Sequence, residues 1–249
     1  MARSDVTDFK SIDLSGTLTE RIDYERLNMS WLAGERGHPC LNADMANATE
    51  ATREPADPNW EIQGLNSTSA LSTYNPEGGI TIATAGAGND YSILTPQDDT
   101  KQSGWAQYTW GTDQETHFET VIKTGAALTT CILFVGLKLT AVYTTATDAD
   151  QIYFMTTDGA AWSCLDEATG TLVTTATSVV PVVNTVYRLR IDIDENRVGR
   201  MYINDILVRI SQVLTTAIDL IPFIGAFENG AGGTRGLTCY GVKMSRNYA

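Results

Sequence analysis

Cations are scarce in this chain: 17 Lys and Arg stand against 30 Asp and Glu, leaving a formal charge of -13. No basic cluster gathers the few that exist, which excludes a phosphate-binding surface for nucleic acid. Cysteine is equally sparse, and Cys40, Cys131, Cys164 and Cys239 form no C-x-x-C pair, so neither a zinc site nor a redox motif is signalled. All four are expected as buried, small apolar side chains in a reducing compartment. No apolar run reaches membrane-spanning length. The opening MARSDVTDFKSIDLSG carries acidic residues where an export signal needs a positive start and an apolar core. Synthesis in a cytoplasm and no membrane partner are therefore expected. No motif recurs at a fixed period, which argues against a propeller or solenoid. The aspartates Asp98, Asp99, Asp148 and Asp150 have no spacing that fixes the six or more oxygens of a calcium site, so no metal and no cofactor is expected.

What the chain does have is alternation. In YRLRIDIDENRVGRMYINDILVRI, residues 187–210, Tyr187, Leu189, Ile191 and Ile193 fall on one side of an extended chain. Arg188, Arg190, Asp192 and Asp194 fall on the other, because successive strand side chains point to opposite faces. The break at Asp194-Glu195-Asn196-Arg197 has turn chemistry, and Asn204-Asp205 suits a two-residue hairpin turn that needs positive φ. Three antiparallel strands with one dry face and one wet face follow. The charges on the wet face read as cross-strand Arg–Asp pairs worth about 0.2–1 kcal/mol each.

Similar runs rich in Thr, Val, Ile and Tyr recur from Trp60 to the end, separated by Gly, Asn, Asp or Thr, and predict some fourteen strands between residues 60 and 246. CILFVGLKL, residues 131–139, is apolar on both faces and is expected centrally, where both sides are covered. The pattern is that of an all-β sandwich. Ahead of it, residues 14–33 offer an imperfect apolar stripe of Leu18, Ile22, Met29 and Trp31, read as a short helix capped by Asp13 or Ser15. Residues 34–58 are polar, with three prolines and no periodicity. The expected division is an N-terminal extended arm over 1–58 and a β-sandwich over 59–249.

The order YRLRIDIDENRVGRMYINDILV followed by DLIPFIGAFENGAGGTRGLTCYGVKMSR resembles the closing half of concanavalin-A-like jelly rolls, the laminin-G-type and glucanase-like domains among them. Asp205 stands where those domains usually carry Gly. The segments GGITIATAGAGNDYSILTP, SGWAQYTWGTDQETHFETVIKTG and TDADQIYF resemble jelly-roll virion structural proteins of tailed bacteriophages. The likeness extends over about residues 78–246. It implies a capsid decoration (cement) protein on the capsid surface that binds the major capsid protein and stabilises the head shell, without enzymatic activity. A homo-oligomer such as a trimer would gain avidity on a virion lattice. Phe9, Ile12, Leu14, Leu18, Ile22, Leu27 and Trp31 are the candidate arm anchors to the capsid. The alternative function is a glycan- or receptor-binding tail component, and behind it a glycan hydrolase.

Each alternative names its own residues. Glucanases of this fold resemble one another in an E-x-D-x-E strand whose carboxylates share a face; here Glu115-Thr116-His117-Phe118-Glu119 keeps the outer pair but carries His117 in the middle. That departure counts against glucanase chemistry, because a histidine does not supply the central carboxylate. For glycan binding, Tyr108 and Trp110 share one side of a regular strand and form the candidate stacking platform, although large aromatics more often fill a core.

Overall fold

The structure, a computed structural model, describes residues 26–32, 61–64, 73–74, 79–95, 110–139, 148–230 and 233–247. Fifteen strands are found among them and no helix. Sheet A runs in the order β13 (Ile206–Val213), β12 (Val198–Ile203), β11 (Val186–Ile193), β6 (His117–Thr124), β15 (Gly236–Asn247), β4 (Ile80–Ala83) and β3 (Thr73–Tyr74), with β1 (Arg26–Leu32) also paired to β15. Sheet B runs β10 (Thr171–Ala176), β9 (Ser163–Ala168), β8 (Gln151–Thr157), β7 (Cys131–Lys138), β14 (Ile221–Glu228), β5 (Tyr91–Thr95) and β2 (Glu61–Gln63). Every pairing is antiparallel, and the two sheets form a jelly-roll β-sandwich.

The alternation in the sequence sets the layers. Along β11 the buried residues are Tyr187, Leu189, Ile191 and Ile193, and along β12 they are Gly199, Met201 and Ile203. β6 follows the same rule, burying Phe118, Thr120, Ile122 and Thr124. These side chains meet Leu133, Val135, Leu137, Ile152, Phe154 and Ile224 from sheet B, with Trp110 and Trp162 filling the interior. Each fully buried side chain of this size contributes about 1.5–3 kcal/mol. Sheet B is apolar on its other face as well, where Ile93, Phe134, Tyr153, Leu165, Phe223 and Phe227 form a second buried cluster. The rings of Phe134 and Phe223 stack there at 4.6 Å. This explains why β7 and β14 read as continuous apolar runs. Gly136 lies between Phe223 of β14 and Tyr153 of β8 in register; a Cβ on Gly136 would meet the Ile152 carbonyl at 2.6 Å and collide with Tyr153.

The hairpins use the turns that their residues suggest. Asn204 and Asp205 have φ of 50° and 65°, as a two-residue turn matched to strand twist requires. Asp194 organises the preceding turn: Oδ1 accepts from the N–H groups of Asn196 at 2.9 Å and Val198 at 3.0 Å, and Oδ2 accepts from Arg200 at 2.7 Å. Partial burial pushes the Asp194 carboxyl up, but the Val198 N–H, the Arg200 guanidinium and the Asn196 N–H together hold it below its ordinary value of 3.8. Its contribution is therefore present above that value and lost as pH falls through the lower folded value. Asp194→Ala is expected to cost about 1–3 kcal/mol at neutral pH. In urea unfolding at a series of pH values, the difference from the unaltered chain should close towards strong acid.

Two expectations are corrected at the N-terminal side. The helix over 14–33 does not form at 26–32, where the chain is strand β1, pairing with β15 in register from Arg26↔Asn247 to Leu32↔Gly241. The segment Arg26-Leu27-Asn28-Met29-Ser30-Trp31 alternates strictly, a period-2 signal that outweighs the imperfect helical stripe. Sheet A thus takes one strand from the segment set apart as an arm. β6 begins at His117, so that Glu115 precedes the strand instead of sharing a face with Glu119. Most of the strand expected to carry Tyr108 and Trp110 lies outside the described residues.

Candidate functional site

The outward face of sheet A is where polar side chains converge. His117, Glu119 and Lys123 from β6, Arg188, Arg190 and Asp192 from β11, and Arg200 and Tyr202 from β12 occupy the positions opposite the buried ones. Register lines them up in rows. Asp192 lies between His117 and Arg200, and Arg190 lies between Glu119 and Tyr202. β15 adds Ser245 beside His117 and Lys243 beside Glu119.

Within these rows His117, Glu119, Arg188, Arg190 and Asp192 are engaged in ion pairs. His117 Nδ1 is 2.5 Å from Asp192 Oδ1, and Arg190 Nε is 3.3 Å from Asp192 Oδ2. The carboxylate therefore orients an imidazole on one side and a guanidinium on the other. Arg190 lies flat over the Tyr202 ring, 4.0 Å from its centroid, a cation–π contact. Arg188 donates to Glu119 at 2.8 Å and to Asp205 at 3.3 Å. The hydrogen bond and charge of Glu119 raise the Arg188 pKa further. The result is a partly exposed His117–Asp192–Arg190–Tyr202 chain whose donors and acceptors are fixed before any ligand arrives.

A second polar row lies on the opposite face of sheet B and is closed. Lys138, Gln151 and Glu167 are neighbours across β7, β8 and β9, and Gln151 donates to Glu167. Lys138 Nζ lies 3.1 Å from Asp148 Oδ2 with both side chains 0 % exposed, and 4.7 Å from the Phe223 ring centroid. Burial holds the Lys138 ammonium below its ordinary range against the opposing pull of Asp148. The sequence signal for this pair is a lysine inside an otherwise apolar two-faced strand.

The residues singled out from the sequence fare differently. Glu115 and Glu119 do not share a strand face: Glu115 sits in the preceding turn at φ 49° and accepts from the Asn247 amide, while Glu119 is engaged by Arg188. Trp110 is 1 % exposed in the sandwich core, with its backbone N–H donating to Asp219 Oδ1 at 2.5 Å, so its ring cannot serve as a stacking platform. Tyr108 lies outside the described residues. Leu27 and Trp31 fall in β1, opposite Arg246 and Val242; Phe9, Ile12, Leu14, Leu18 and Ile22 lie outside the described residues. Asp148 is taken by Lys138, and Asp150 accepts from the Thr169 N–H at 3.2 Å, neither arranged for calcium. Among the described residues no three His, Cys, Asp or Glu side chains converge as a metal site. Cys131, Cys164 and Cys239 are buried free thiols, each pushed up to about 12 by burial, and are inert as nucleophiles. Cys40 lies outside the described residues.

No protein-family model matches the chain, and a comparison with curated proteins returns no match. Solved structures do resemble it. A protein of unknown function from Shewanella oneidensis MR-1 superposes with a TM-score of 0.57 at 10% identity, covering 99% of this chain and 95% of that one. Alginate lyase A1-II', a member of polysaccharide lyase family 7, gives 0.55 at 16% identity over 77% of this chain and 96% of its own. The Crh5 transglycosylase gives 0.54 at 13% identity over 90% and 85%. Identities this low carry the fold alone. They nevertheless overturn the expectation of a body without enzymatic activity, because a lyase and a transglycosylase are built on the same scaffold. What the chain shares with these proteins is an all-β jelly-roll sandwich, consistent with the concanavalin-A-like fold.

Proposed function

We propose that this chain engages carbohydrate through the outward face of sheet A. The observation that carries the reading is the preorganised chain of His117, Asp192, Arg190 and Tyr202. Sugar hydroxyls both donate and accept, and are met by a carboxylate that accepts and a guanidinium that donates, in charge-assisted bonds stronger than neutral ones. Because these groups are already oriented by one another, little side-chain entropy is lost on binding. The jelly-roll neighbours named as a lyase and a transglycosylase support the reading, since the same architecture accommodates saccharide polymers in them.

The test is a glycan array read with the full chain and with Tyr202→Ala and Arg190→Ala. At least a tenfold loss of binding is expected in each, with melting temperature nearly unchanged, because both side chains lie on the wet face. Retention of no glycan by the unaltered chain, or full retention by both variants, overturns the proposal. Glycans that bind are then incubated with the chain and assayed for chain cleavage. Turnover lost in His117→Asn would extend the role of the row from binding to catalysis.

A second reading, a virion structural protein decorating the capsid, rests on the resemblance of residues 78–246 to phage jelly rolls. Sedimentation of the chain with purified capsids, in the presence and absence of an array-selected glycan, separates the two readings.

A further inference from the structure

β15 is twelve residues long and serves two partners along one edge. β4 pairs with its first third, Gly236 to Cys239, and β1 pairs with the remainder, Gly241 to Asn247. The other edge belongs to β6. β1 thus meets the sandwich in one slot, and among the described residues it pairs with β15 alone.

The slot is local, but the connection is not. Residues 33–60 separate β1 from β2 in the chain. A stretch of 28 residues reaches up to roughly 95 Å when extended. A body of about 190 residues has a radius of gyration near 16 Å, so the reach exceeds the width of the sandwich about twofold. The strand can therefore occupy the same slot on a neighbouring copy. We propose that β1 is an exchangeable strand, able to leave its own β15 and complete the β15 edge of a second copy of this chain.

Exchange conserves what holds β1 in place. The neighbour presents the same Gly241–Asn247 edge, so the seven-residue register and its backbone bonds are re-formed identically. Only association entropy opposes reciprocal exchange, the low-cost route by which an identical element passes between protomers. Against it stands the effective concentration of a strand tethered to its own body, of about millimolar order. The chain is accordingly a monomer when dilute and exchanges when copies are held at millimolar local density, as in any ordered array. This inference is independent of carbohydrate binding, since the slot and the charged rows are read by different experiments.

The register supplies the test. Met29 and Met244 are direct cross-strand partners, at a separation suited to a disulfide between substituted cysteines. Met29→Cys and Met244→Cys are prepared as two separately tagged single variants in a Cys40→Ser background, mixed, incubated and oxidised. At about 1 mM total chain a disulfide between the two tagged proteins is expected. At about 1 µM its yield should fall at least tenfold. The doubly substituted chain, oxidised when dilute, should close internally and run as a monomer. Internal closure of the double variant without any cross-link between the mixed singles at about 1 mM overturns the proposal. Failure of the double variant to close removes the β1–β15 pairing on which the proposal depends, and overturns it equally.

Discussion

Lys138→Ala is expected to destabilise the fold by about 3–5 kcal/mol, because it leaves the Asp148 carboxylate buried without its counter-charge. The pair is 3.1 Å apart with both side chains fully buried, against the Phe223 ring. In a domain of this size such a loss lowers the melting temperature by roughly 6–20 °C. The informative control is the double variant Lys138→Met with Asp148→Leu. Removing both charges removes both desolvation penalties, so the double variant should recover most of the lost stability or exceed the unaltered chain. Urea unfolding of the three proteins decides the matter. A single variant within about 1 kcal/mol of the unaltered chain would show that the carboxylate is relieved in another way.

Trp110→Ala is expected to cost about 3–5 kcal/mol, the range for deleting a large aromatic from a packed core. Trp110 is 1 % exposed among residues of the main hydrophobic cluster. Had it been a surface platform, its loss would lower glycan affinity and leave the melting temperature unmoved. The buried position reverses both outcomes: thermal unfolding shifts down by several degrees, while any glycan binding measured well below that transition remains. Paired with Tyr202→Ala, which should show the opposite split, the experiment separates the interior of the sandwich from its polar face.

The hairpin of β11 and β12 was readable because one of its faces is dry, so that alternation and burial coincide residue by residue from Tyr187 to Ile203. The third strand of the ribbon departs from the expectation, since along β13 Ile206, Leu207, Ile210 and Val213 are exposed and only Ser211 is buried. β7 was readable for the opposite reason: apolar side chains on both faces mark a strand buried on both sides, and its outward Phe134 does join a second buried cluster formed by side chains of sheet B itself. β1 was misread although Leu27, Met29 and Trp31 stand at every second position, because the wider spacing of Leu18, Ile22 and Met29 mimics a helical stripe. The short β3 escaped notice, since two residues carry no period. Glu115 and Glu119 illustrate the limit of spacing arguments. Four residues apart implies a shared face only if the strand contains both, and here it begins at His117. The alternation placed the charges of the polar rows on one face. Alternation and the hairpin turn fix the pairing of β11 with β12, but the contacts of His117 and Glu119 depend on the pairing of β6 with β11, strands about seventy positions apart whose partnership no local pattern reveals.

Of all the strands, β15 comes latest in chain order, yet it lies between β6 on one side and β4 and β1 on the other. During synthesis the two halves of sheet A therefore wait as separate fragments, and the joining piece emerges after both. Partners more than a hundred positions apart must then find one another, which makes assembly slow compared with that of a helical domain. Stop codons upstream of Gly236 should yield chains that sediment with chaperones rather than shortened but ordered bodies.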